Sequence, residues 1–417
     1  MLNATSLDVP KTLNIFQKTA RNIAFSCLYK LEVGSLTIVE SYQKESGLLE
    51  SDRTQFGSPQ KGEPSALIEI KHPDFYRRLM RGGSIAAGEA FMDGWWESPD
   101  LTSLMELMAL NLKAVDSIED NSSFLSRILY KIAHWVNRNT VSQSKENIGA
   151  HYDLGNDLYS TFLDENMLYS SGIYSAPDNS LEQAQINKME RLCQQLELKS
   201  TDHVIEIGTG WGGMAIYMAS KYGCLVTTTT ISEEQFEYAK RKVDALGLSD
   251  KITLLKKDYR LLEGQYDKLV SIEMIEAVGK SFLSSYFEKC QQLLKPKGMM
   301  AIQAITIADQ RYDNYADNVD FIQKYIFPGG FLPSITALTQ CSTNYTDLIV
   351  RDLFDIGLDY ASTLKAWRNR FELSLNKVKK LGYDERFIRM WTYYFCYCEG
   401  GFRAKSISTV HMTFQRG

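Results

Sequence analysis

The clearest pattern of apolar and polar positions lies in the second half of the chain and predicts strands that alternate with helices. Short, β-prone apolar runs occur near residues 203–207, 224–230, 251–255, 266–272 and 297–303. Between and before them, apolar residues recur with helical spacing near residues 182–197, 212–221, 232–246 and 281–294. This order of elements is typical of a parallel sheet that is covered by helices on both faces.

The first third of the chain follows a different pattern. Lys11 to Lys30 has the apolar spacing of an amphipathic helix, and the segments GSLTIVE and SALIEI read as short strands. Two further helices and then a polar linker are predicted at residues 101–112, 124–137 and 140–149. We therefore expect a smaller, mainly helical N-terminal domain over residues 1–140 and a second domain over residues 141–417.

The last part of the chain adds to the second domain. Residues 306–334 are irregular in pattern and rich in aromatic side chains, and we expect them to form an insertion near the active site. Helical spacing returns over residues 361–381 and 384–400, and the closing segment SISTVHMTF predicts a strand.

Composition and charge exclude several classes of function. The 417 residues carry a formal net charge of -5 and no long basic block, so nucleic acid is a poor candidate for a ligand. No run of about 18 apolar residues predicts a spanning helix, and the N-terminus lacks a signal pattern. From the missing signal pattern we expect a cytoplasmic protein. The seven cysteines and five histidines are scattered, so no metal site is expected.

A glycine-rich segment, HVIEIGTGWGG at residues 203–213, marks the candidate ligand site. A β-prone run leads directly into Gly208 and Gly210, and a helical segment follows. Strand, glycine turn and helix in this order are how an α/β sheet presents a crevice to a nucleotide-like ligand. Glycine is needed there because the backbone must approach the ligand closely and adopt positive φ.

The polar residues after the neighbouring strands indicate which ligand this crevice takes. The second strand ends in TTTTIS, without the acid that a dinucleotide fold uses for a ribose, and no complete GxxxxGK[ST] phosphate-loop motif is present. S-adenosylmethionine has no phosphate, and its adenine needs an acid or an amide. Asp258, after the third strand, is placed for the adenine, although this carboxylate could instead cap the short turn that follows it.

Seven ordered motifs then carry a family resemblance: HYDLGNDLYSTFLDENMLYSSGIY, VIEIGTGWGGMAIYMA, TTISEEQ, KKDYR, EMIEAVG, KYIFPGGFLPS and YYFCYCEGGFRA. In the N-terminal region, SIAAGEAFMDGWWESPDL is similar as well. The chain resembles the cyclopropane-fatty-acyl-phospholipid synthase family, of which mycolic acid cyclopropane synthases are relatives. The resemblance implies an α/β, Rossmann-like class I methyltransferase fold with a mostly parallel sheet. It also implies that S-adenosylmethionine is used to methylate cis double bonds in phospholipid acyl chains.

The resemblance implies a set of cofactor contacts, position by position. Tyr169 and Ser170 would lie over the methionine part, and Gly208 and Gly210 would line the glycine turn. The ribose and adenine sides would be contacted by Thr230, Ile231, Gln235, Asp258 and Tyr259. Tyr169 and Gln235 have a competing interpretation each, as a packed core residue and as a helix cap.

The resemblance also implies a bound bicarbonate that acts as the catalytic base. Its ligands would be Ser171, Glu276, Gln303, Tyr360 and the backbone of Ile305. Ser171 stands where the family usually has Cys, and Gln303 where it usually has His, which is a departure because glutamine cannot titrate. Glu273 adds an acid where small residues are common, and it could equally cap the backbone or face solvent.

These departures leave two products open. Loss of a proton from the transferred methyl group gives a cyclopropane, which is the first expectation, and loss of a chain proton gives a methyl-branched unsaturated acyl chain. A lipid-binding relative without catalysis, or a methyltransferase for small molecules or proteins, would be other classes of function.

A basic and aromatic segment suggests a membrane partner. Lys71, Arg77, Arg78 and Arg81 lie close in sequence to Phe75, Tyr76, Trp95 and Trp96. They could rest on anionic lipid at the inner face of the membrane, or form a solvated face over an aromatic core. The resemblance further implies a homodimer.

Overall fold

The computed structural model describes residues 13–43, 53–120, 155–316 and 318–417. These residues fall into two compact units. The first unit contains the described residues up to 120 together with residues 383–404, and the second contains residues 155–382 and 405–417. The predicted boundary near residue 140 and the predicted helix over 124–137 lie outside the described residues.

The first unit is built from helices and one small sheet. Its elements before the linker are α1 (Ile15–Leu28), β1 (Ser35–Glu40), β2 (Arg53–Gly57), β3 (Ser65–Ile70), α2 (Phe75–Met92), β4 (Trp96–Glu97), α3 (Leu101–Leu110) and α4 (Leu112–Asp120). The strand order is β2-β1-β3-β4, with β1 parallel to β3 and antiparallel to β2. The prediction of a helical N-terminal region is confirmed, and both of the predicted strands form within it.

A buried carboxylate holds this unit together. Glu40, at the end of β1, accepts hydrogen bonds from Arg21 on α1 at 2.7 Å, from Tyr42 at 2.9 Å and from Tyr76 on α2 at 2.8 Å. Because each donor comes from a different segment, the carboxylate fixes α1, β1 and α2 to one another.

The predicted basic segment is largely neutralised by acids. Lys71 contacts Glu97 at 2.6 Å, and Arg77 contacts Asp74 at 3.1 Å. Two further carboxylates, of Glu89 and Asp93, pair with Arg78. The nearby rings of Phe75, Phe91 and Trp96 pack on each other in the core.

The second unit has the alternating order that the sequence predicts. Its elements are α5 (Asn156–Tyr159), α6 (Leu181–Gln195), β5 (His203–Ile207), α7 (Gly213–Tyr217) with a π-helical turn (Met218–Tyr222), β6 (Leu225–Thr230), α8 (Glu233–Ala245), β7 (Ile252–Lys256), β8 (Tyr266–Ile272), α9 (Leu283–Leu293), β9 (Leu294–Ile307), α10 (Asp309–Ala316), α11 (Phe321–Tyr325), α12 (Ile335–Tyr345), β10 (Leu348–Asp355), α13 (Gly357–Leu373), α14 (Leu375–Lys380) and β11 (Ile407–Arg416).

The sheet of this unit is mostly parallel, which confirms the predicted fold class. Its strand order is β10-β11-β9-β8-β5-β6-β7. The five strands from β9 to β7 are parallel, whereas β11 is antiparallel to both β9 and β10. The parallel strands end at one edge of the sheet, so the residues that follow them lie together.

Three parts of the second unit differ from the sequence pattern. Residues 306–334, predicted as irregular, contain the short helices α10 and α11. The sequence pattern also missed α12 and the edge strand β10. The strand β10 was missed because its exposed residues mix apolar and charged types without a clear alternation.

The helix α15 (Glu385–Arg403) belongs to the first unit, whereas the sequence assigned it to the second domain. It packs on α3, and Glu399 accepts a hydrogen bond from Thr102 at 3.3 Å. A side chain at Gly400 would meet the backbone nitrogen of Glu106 at 2.6 Å, so glycine is what lets the two helices approach. Among the described helices, none is both long and apolar enough to cross a membrane.

Candidate active site

The glycine turn follows β5 at the edge of the sheet where the parallel strands end. Gly208, Gly210 and Gly212 have positive φ values of 102°, 52° and 88°, which L-residues with a side chain rarely adopt. A Cβ at Gly208 would meet Met274 Cγ at 3.3 Å, whereas one at Gly210 would have no atom of the described residues within 4 Å. The turn therefore lies against the segment after β8 and leaves room for a ligand beside Gly210.

Polar side chains lie at the end of the neighbouring strand β6. The hydroxyl of Thr230 donates to Gln235 Oε1 at 2.9 Å, and both side chains are buried. The cap of α8 is Ser232, whose hydroxyl accepts from the backbone N–H of Gln235 at 3.3 Å. Gln235 is therefore not the cap itself, and its amide lies beside Thr230 near the start of α8. Ile231 joins Thr230 to the cap.

Asp258, after β7, has the capping contact that competes with its predicted adenine contact. Its carboxylate accepts from the backbone N–H of Arg260 at 2.9 Å and from the Arg260 guanidinium at 2.6 Å. Tyr259 packs edge-on against Tyr286 with ring centroids 5.5 Å apart. The adenine role of Asp258 and Tyr259 stays a prediction.

An aromatic cluster lies next to the glycine turn. We use this name for Tyr159, Phe162, Tyr169, Trp211, Phe327 and Trp367. The ring of Tyr169 lies 5.2 Å from Trp367, 5.4 Å from Tyr159 and 6.1 Å from Phe327. Trp211 of the turn is 5.0 Å from Tyr159, so the cluster connects Tyr169 to the glycine turn. Aromatic faces attract cations, including a sulfonium or a carbocation.

The central feature of the site is the carboxylate of Glu273. The backbone N–H of Ser171 donates to its Oε1 at 2.9 Å, and Gln303 Nε2 donates to the same oxygen at 2.7 Å. The hydroxyl of Tyr360 donates to Oε2 at 2.7 Å. These donors come from the segment before α6, from β9 and from α13. Glu273 itself has a φ of 46°, an uncommon value that marks a constrained position.

Glu276 lies one turn further along and has fewer partners. Its Oε1 accepts the backbone N–H of Ile305 at 2.5 Å, and its Oε2 is buried without a hydrogen-bond partner among the residues that the structure describes. Burial and the nearby charge of Glu273 raise the pKa of Glu276 to about 8. Burial also raises the pKa of Glu273, but four groups oppose this by favouring its charged form: Ser171, Tyr360, Gln303 and Lys188. The three donors therefore favour the charged form of Glu273, whereas Glu276, with a pKa of about 8, holds its proton near neutral pH.

The residues predicted to surround a bicarbonate are thus close together, but their donors are already used. Ser171, Gln303 and Tyr360 point at Glu273, and Ile305 points at Glu276. The Ser171 hydroxyl donates to its neighbour's carbonyl oxygen at 2.9 Å, and only its backbone N–H faces the site. A bicarbonate does not fit this donor set, because the carboxylates of Glu273 and Glu276 already accept these hydrogen bonds.

Two residues outside the predicted site, His411 and Lys188, complete it. His411 on β11 lies opposite Gln303 on β9, and its Nε2 is 2.8 Å from Gln303 Oε1. Lys188 on α6 is fully buried and donates to the Ser170 hydroxyl at 2.7 Å. A lysine on the apolar face of an amphipathic helix was a signal that could have identified Lys188. The pairing of His411 with Gln303 needs the strand register.

The glycine turn, the polar strand ends and the parallel sheet define the class of protein, an S-adenosylmethionine-dependent methyltransferase of the class I fold. The residues fit the cofactor because backbone space is open at Gly210 and aromatic faces lie next to the turn. Comparison with known proteins then gives the family. Residues 139–412 match the mycolic acid cyclopropane synthetase family, and the chain belongs to this family.

Individual relatives cover most of the chain. It is 39% identical over 364 residues to a cyclopropane-fatty-acyl-phospholipid synthase of Escherichia coli, covering 85% of this chain and 89% of the relative. It is 38% identical over 379 residues to a tuberculostearic acid methyltransferase of Mycobacterium tuberculosis, covering 88% and 87%. A solved mycolic acid cyclopropane synthase in complex with SAH is 25% identical with a TM-score of 0.61, covering 65% of this chain and 98% of that one.

Proposed function

We propose that the protein transfers a methyl group from S-adenosylmethionine to a cis double bond in a phospholipid acyl chain, and that Glu273 is the base that completes a cyclopropane. The observation that supports this most directly is the convergence of three donors, from Ser171, Gln303 and Tyr360, on the Glu273 carboxylate. A base that is held in this way is fixed in position before the substrate arrives.

The residues of the protein have to stabilise a carbocation and accept a proton. When bound, S-adenosylmethionine supplies an electrophilic methyl group, and the alkene that accepts it becomes a carbocation. The aromatic cluster and the ring of Tyr360 stabilise this positive charge without forming a bond to the cation. A C–H bond of the new methyl group then breaks, its electron pair forms the bond that closes the ring, and the proton passes to Glu273.

A methyl-branched unsaturated product is the second candidate, and a specific observation favours it. The hydrogen bonds to Glu273 favour its ionised form and oppose the rise in pKa that burial causes, so they make it a weaker base than burial alone would. With a weaker base, the cation can instead lose a proton from an acyl-chain carbon to Glu273, and that C–H electron pair forms a new C=C bond. One similar relative is a methyltransferase that is not named as a cyclopropane synthase.

Lipid analysis of cells that make no cyclopropane lipid of their own tests both products. Expression should add one CH₂ to unsaturated acyl chains in the mass spectrum. Proton NMR of the extracted lipids should then show the high-field cyclopropane methylene signal, whereas new vinyl signals alone would favour the branched product. Unchanged lipids would overturn the proposed function, provided that the purified protein binds S-adenosylmethionine in calorimetry.

We also propose that the first unit brings the enzyme to the cytoplasmic face of the membrane. The observation in support is at the start of α1, where Ile15 and Phe16 are 73% and 71% exposed and Lys18 is exposed beside them. Exposed large apolar side chains next to a cation suit the boundary between headgroups and acyl chains. The predicted basic segment around Arg77 and Arg78 is a weaker candidate because its charges are already paired.

A further inference from the structure

We propose that Lys188 is a positioning residue of this site: its buried ammonium group is the counter-charge that keeps Glu273 ionised, and it is held in place by the hydroxyl of Ser170. This inference rests on the proposed role of Glu273 as the base. It concerns a residue for which neither the motifs nor the proposed chemistry gives a role.

The position of Lys188 is unusual for a lysine. It lies on α6 with no exposed surface, in line with the buried residues Ala184, Gln185, Met189 and Leu192. Lysine is almost never fully buried unless it is paired, because burial of an uncompensated charge is costly. Something in this part of the fold must therefore compensate its charge.

The hydrogen bonds of Lys188 tie it to the segment that is predicted to contact the cofactor. Its Nζ donates to Ser170 Oγ at 2.7 Å, and Gln185, one turn earlier on α6, donates to the backbone oxygen of Ser170 at 2.9 Å. The next residue, Ser171, donates its backbone N–H to Glu273. Lys188 is therefore connected to the Glu273 carboxylate through two residues, Ser170 and Ser171. By holding Ser170, it fixes the position of the Ser171 N–H that donates to Glu273.

Glu273 is the carboxylate to which the segment of Ser170 and Ser171 joins Lys188. Burial lowers the pKa of Lys188 to about 8, and Glu273 is the largest of the charges that oppose this, ahead of Asp164. Asp164 uses its two oxygens to accept the backbone N–H groups of Leu168 and Asn166. The other titratable or charged groups that bear on this region are Glu276, Tyr360, Arg191 and His411. Of these, His411 is neutral because burial lowers its pKa to about 3.

The test is a pH titration of the Glu273 carboxyl carbon by NMR on the full-length protein labelled with ¹³C-glutamate, with Glu273→Gln used for assignment. Lys188→Met keeps the length of the side chain and removes its charge, so the midpoint should rise by about one pH unit or more. Met189→Ala perturbs the same buried face without a charge change and should leave the midpoint in place. An unchanged midpoint in Lys188→Met would overturn the proposal.

Two further measurements keep the proposal testable if Lys188→Met does not fold or the lipid assay fails. In Glu273→Gln labelled with ¹³C-lysine, the midpoint of Lys188 should fall because its partner charge is gone, and an unchanged midpoint would also overturn the proposal. In turnover, the acidic limb of the kcat profile should move to higher pH in Lys188→Met. Lost activity without that movement would show a structural role only. If the Glu273 midpoint rises in Lys188→Met as expected but the wild type is inactive on lipid, the result would count against the proposed function and not against the role of Lys188.

Discussion

His411 Nε2 lies 2.8 Å from Gln303 Oε1, and this contact decides which end of the Gln303 amide faces Glu273. Burial lowers the pKa of His411 to about 3, so the ring is neutral at physiological pH. When its Nε2 carries the proton, it donates to the amide oxygen and leaves the amide nitrogen to donate to the carboxylate. Gln303 thus supplies a donor at the position where the family usually has a histidine. His411, on the neighbouring strand, keeps the Gln303 amide in that orientation.

His411→Leu should therefore lower turnover by about tenfold or more, because the amide of Gln303 loses its orienting partner. It should also lower the free energy of unfolding by about 1–3 kcal/mol, since a buried carbonyl oxygen is left unpaired. Initial rates and denaturant unfolding measure the two effects. Thr413→Val removes another polar contact from β11 and serves as the control, with little change in turnover. Wild-type turnover in His411→Leu would contradict the orienting role.

The two glutamates of the site should differ sharply when each is made neutral. Glu276 has a pKa of about 8, so Glu276→Gln resembles its protonated form and should retain more than about a tenth of the activity at pH 7. The wild-type rate should decline above about pH 8 as Glu276 ionises, and Glu276→Gln should lack this decline. Glu273→Gln should reduce kcat by about 100-fold or more. Equal losses in the two variants at pH 7 would contradict this division of charge.

Glu190 gives a stability prediction away from the site. Burial alone would raise its pKa, but hydrogen bonds from Lys221, Tyr217, Gln194 and Tyr222 outweigh this and lower the pKa to about 2. The folded state therefore gains stability above the unfolded pKa, and this gain disappears as the pH falls from about 4.5 towards 2. Glu190→Gln should lower the free energy of unfolding by about 1–2 kcal/mol at pH 7 and by much less at pH 3.

The matched control for Glu190 is Glu237→Gln on the exposed face of α8, which should leave stability unchanged at both pH values. Chemical denaturation at pH 7 and at pH 3 measures the difference. A Glu190→Gln variant that loses as much stability at pH 3 as at pH 7 would show that packing, and not charge, is responsible.

Membrane docking through α1 can be separated from docking through the basic segment. Phe16→Glu places a charge where an exposed apolar ring would enter the headgroup boundary, and it should reduce co-sedimentation with anionic vesicles by about tenfold. Arg77→Glu should have a smaller effect, because Arg77 already contacts Asp74 at 3.1 Å. The opposite ranking of the two variants would restore the basic segment as the docking surface.

The sequence predicts those parts of the fold that depend on local pattern. The strands β5 to β9 are recognisable because short apolar runs predict buried strands. The glycine turn is recognisable because glycine at positions such as Gly208 permits positive φ. The contact between His411 and Gln303 joins residues 108 positions apart, and it depends on the antiparallel register of β11 and β9. No periodicity in one sequence encodes that register.

The role of Glu273 was open for a related reason. The sequence shows an acid near Glu276, which could cap the backbone, face solvent or enter the site. Only the fold brings the Ser171 N–H and the Tyr360 hydroxyl, which are 102 and 87 residues away, onto the same carboxylate. The positive φ of Glu273 turns it towards them, and sequence alone gives no sign of this conformation in a glutamate.

The most direct measurement is the dependence of turnover on bicarbonate in the wild type and in Glu273→Gly. Glycine accepts the φ of 46° without strain and removes the carboxylate, so the donors around it become available to an external anion. If Glu273 is the base, wild-type turnover is the same in carbonate-depleted and bicarbonate-containing buffer, and Glu273→Gly is inactive until bicarbonate restores part of its rate. A wild type that stops when bicarbonate is removed, or a Glu273→Gly variant that keeps full turnover without it, would contradict this role.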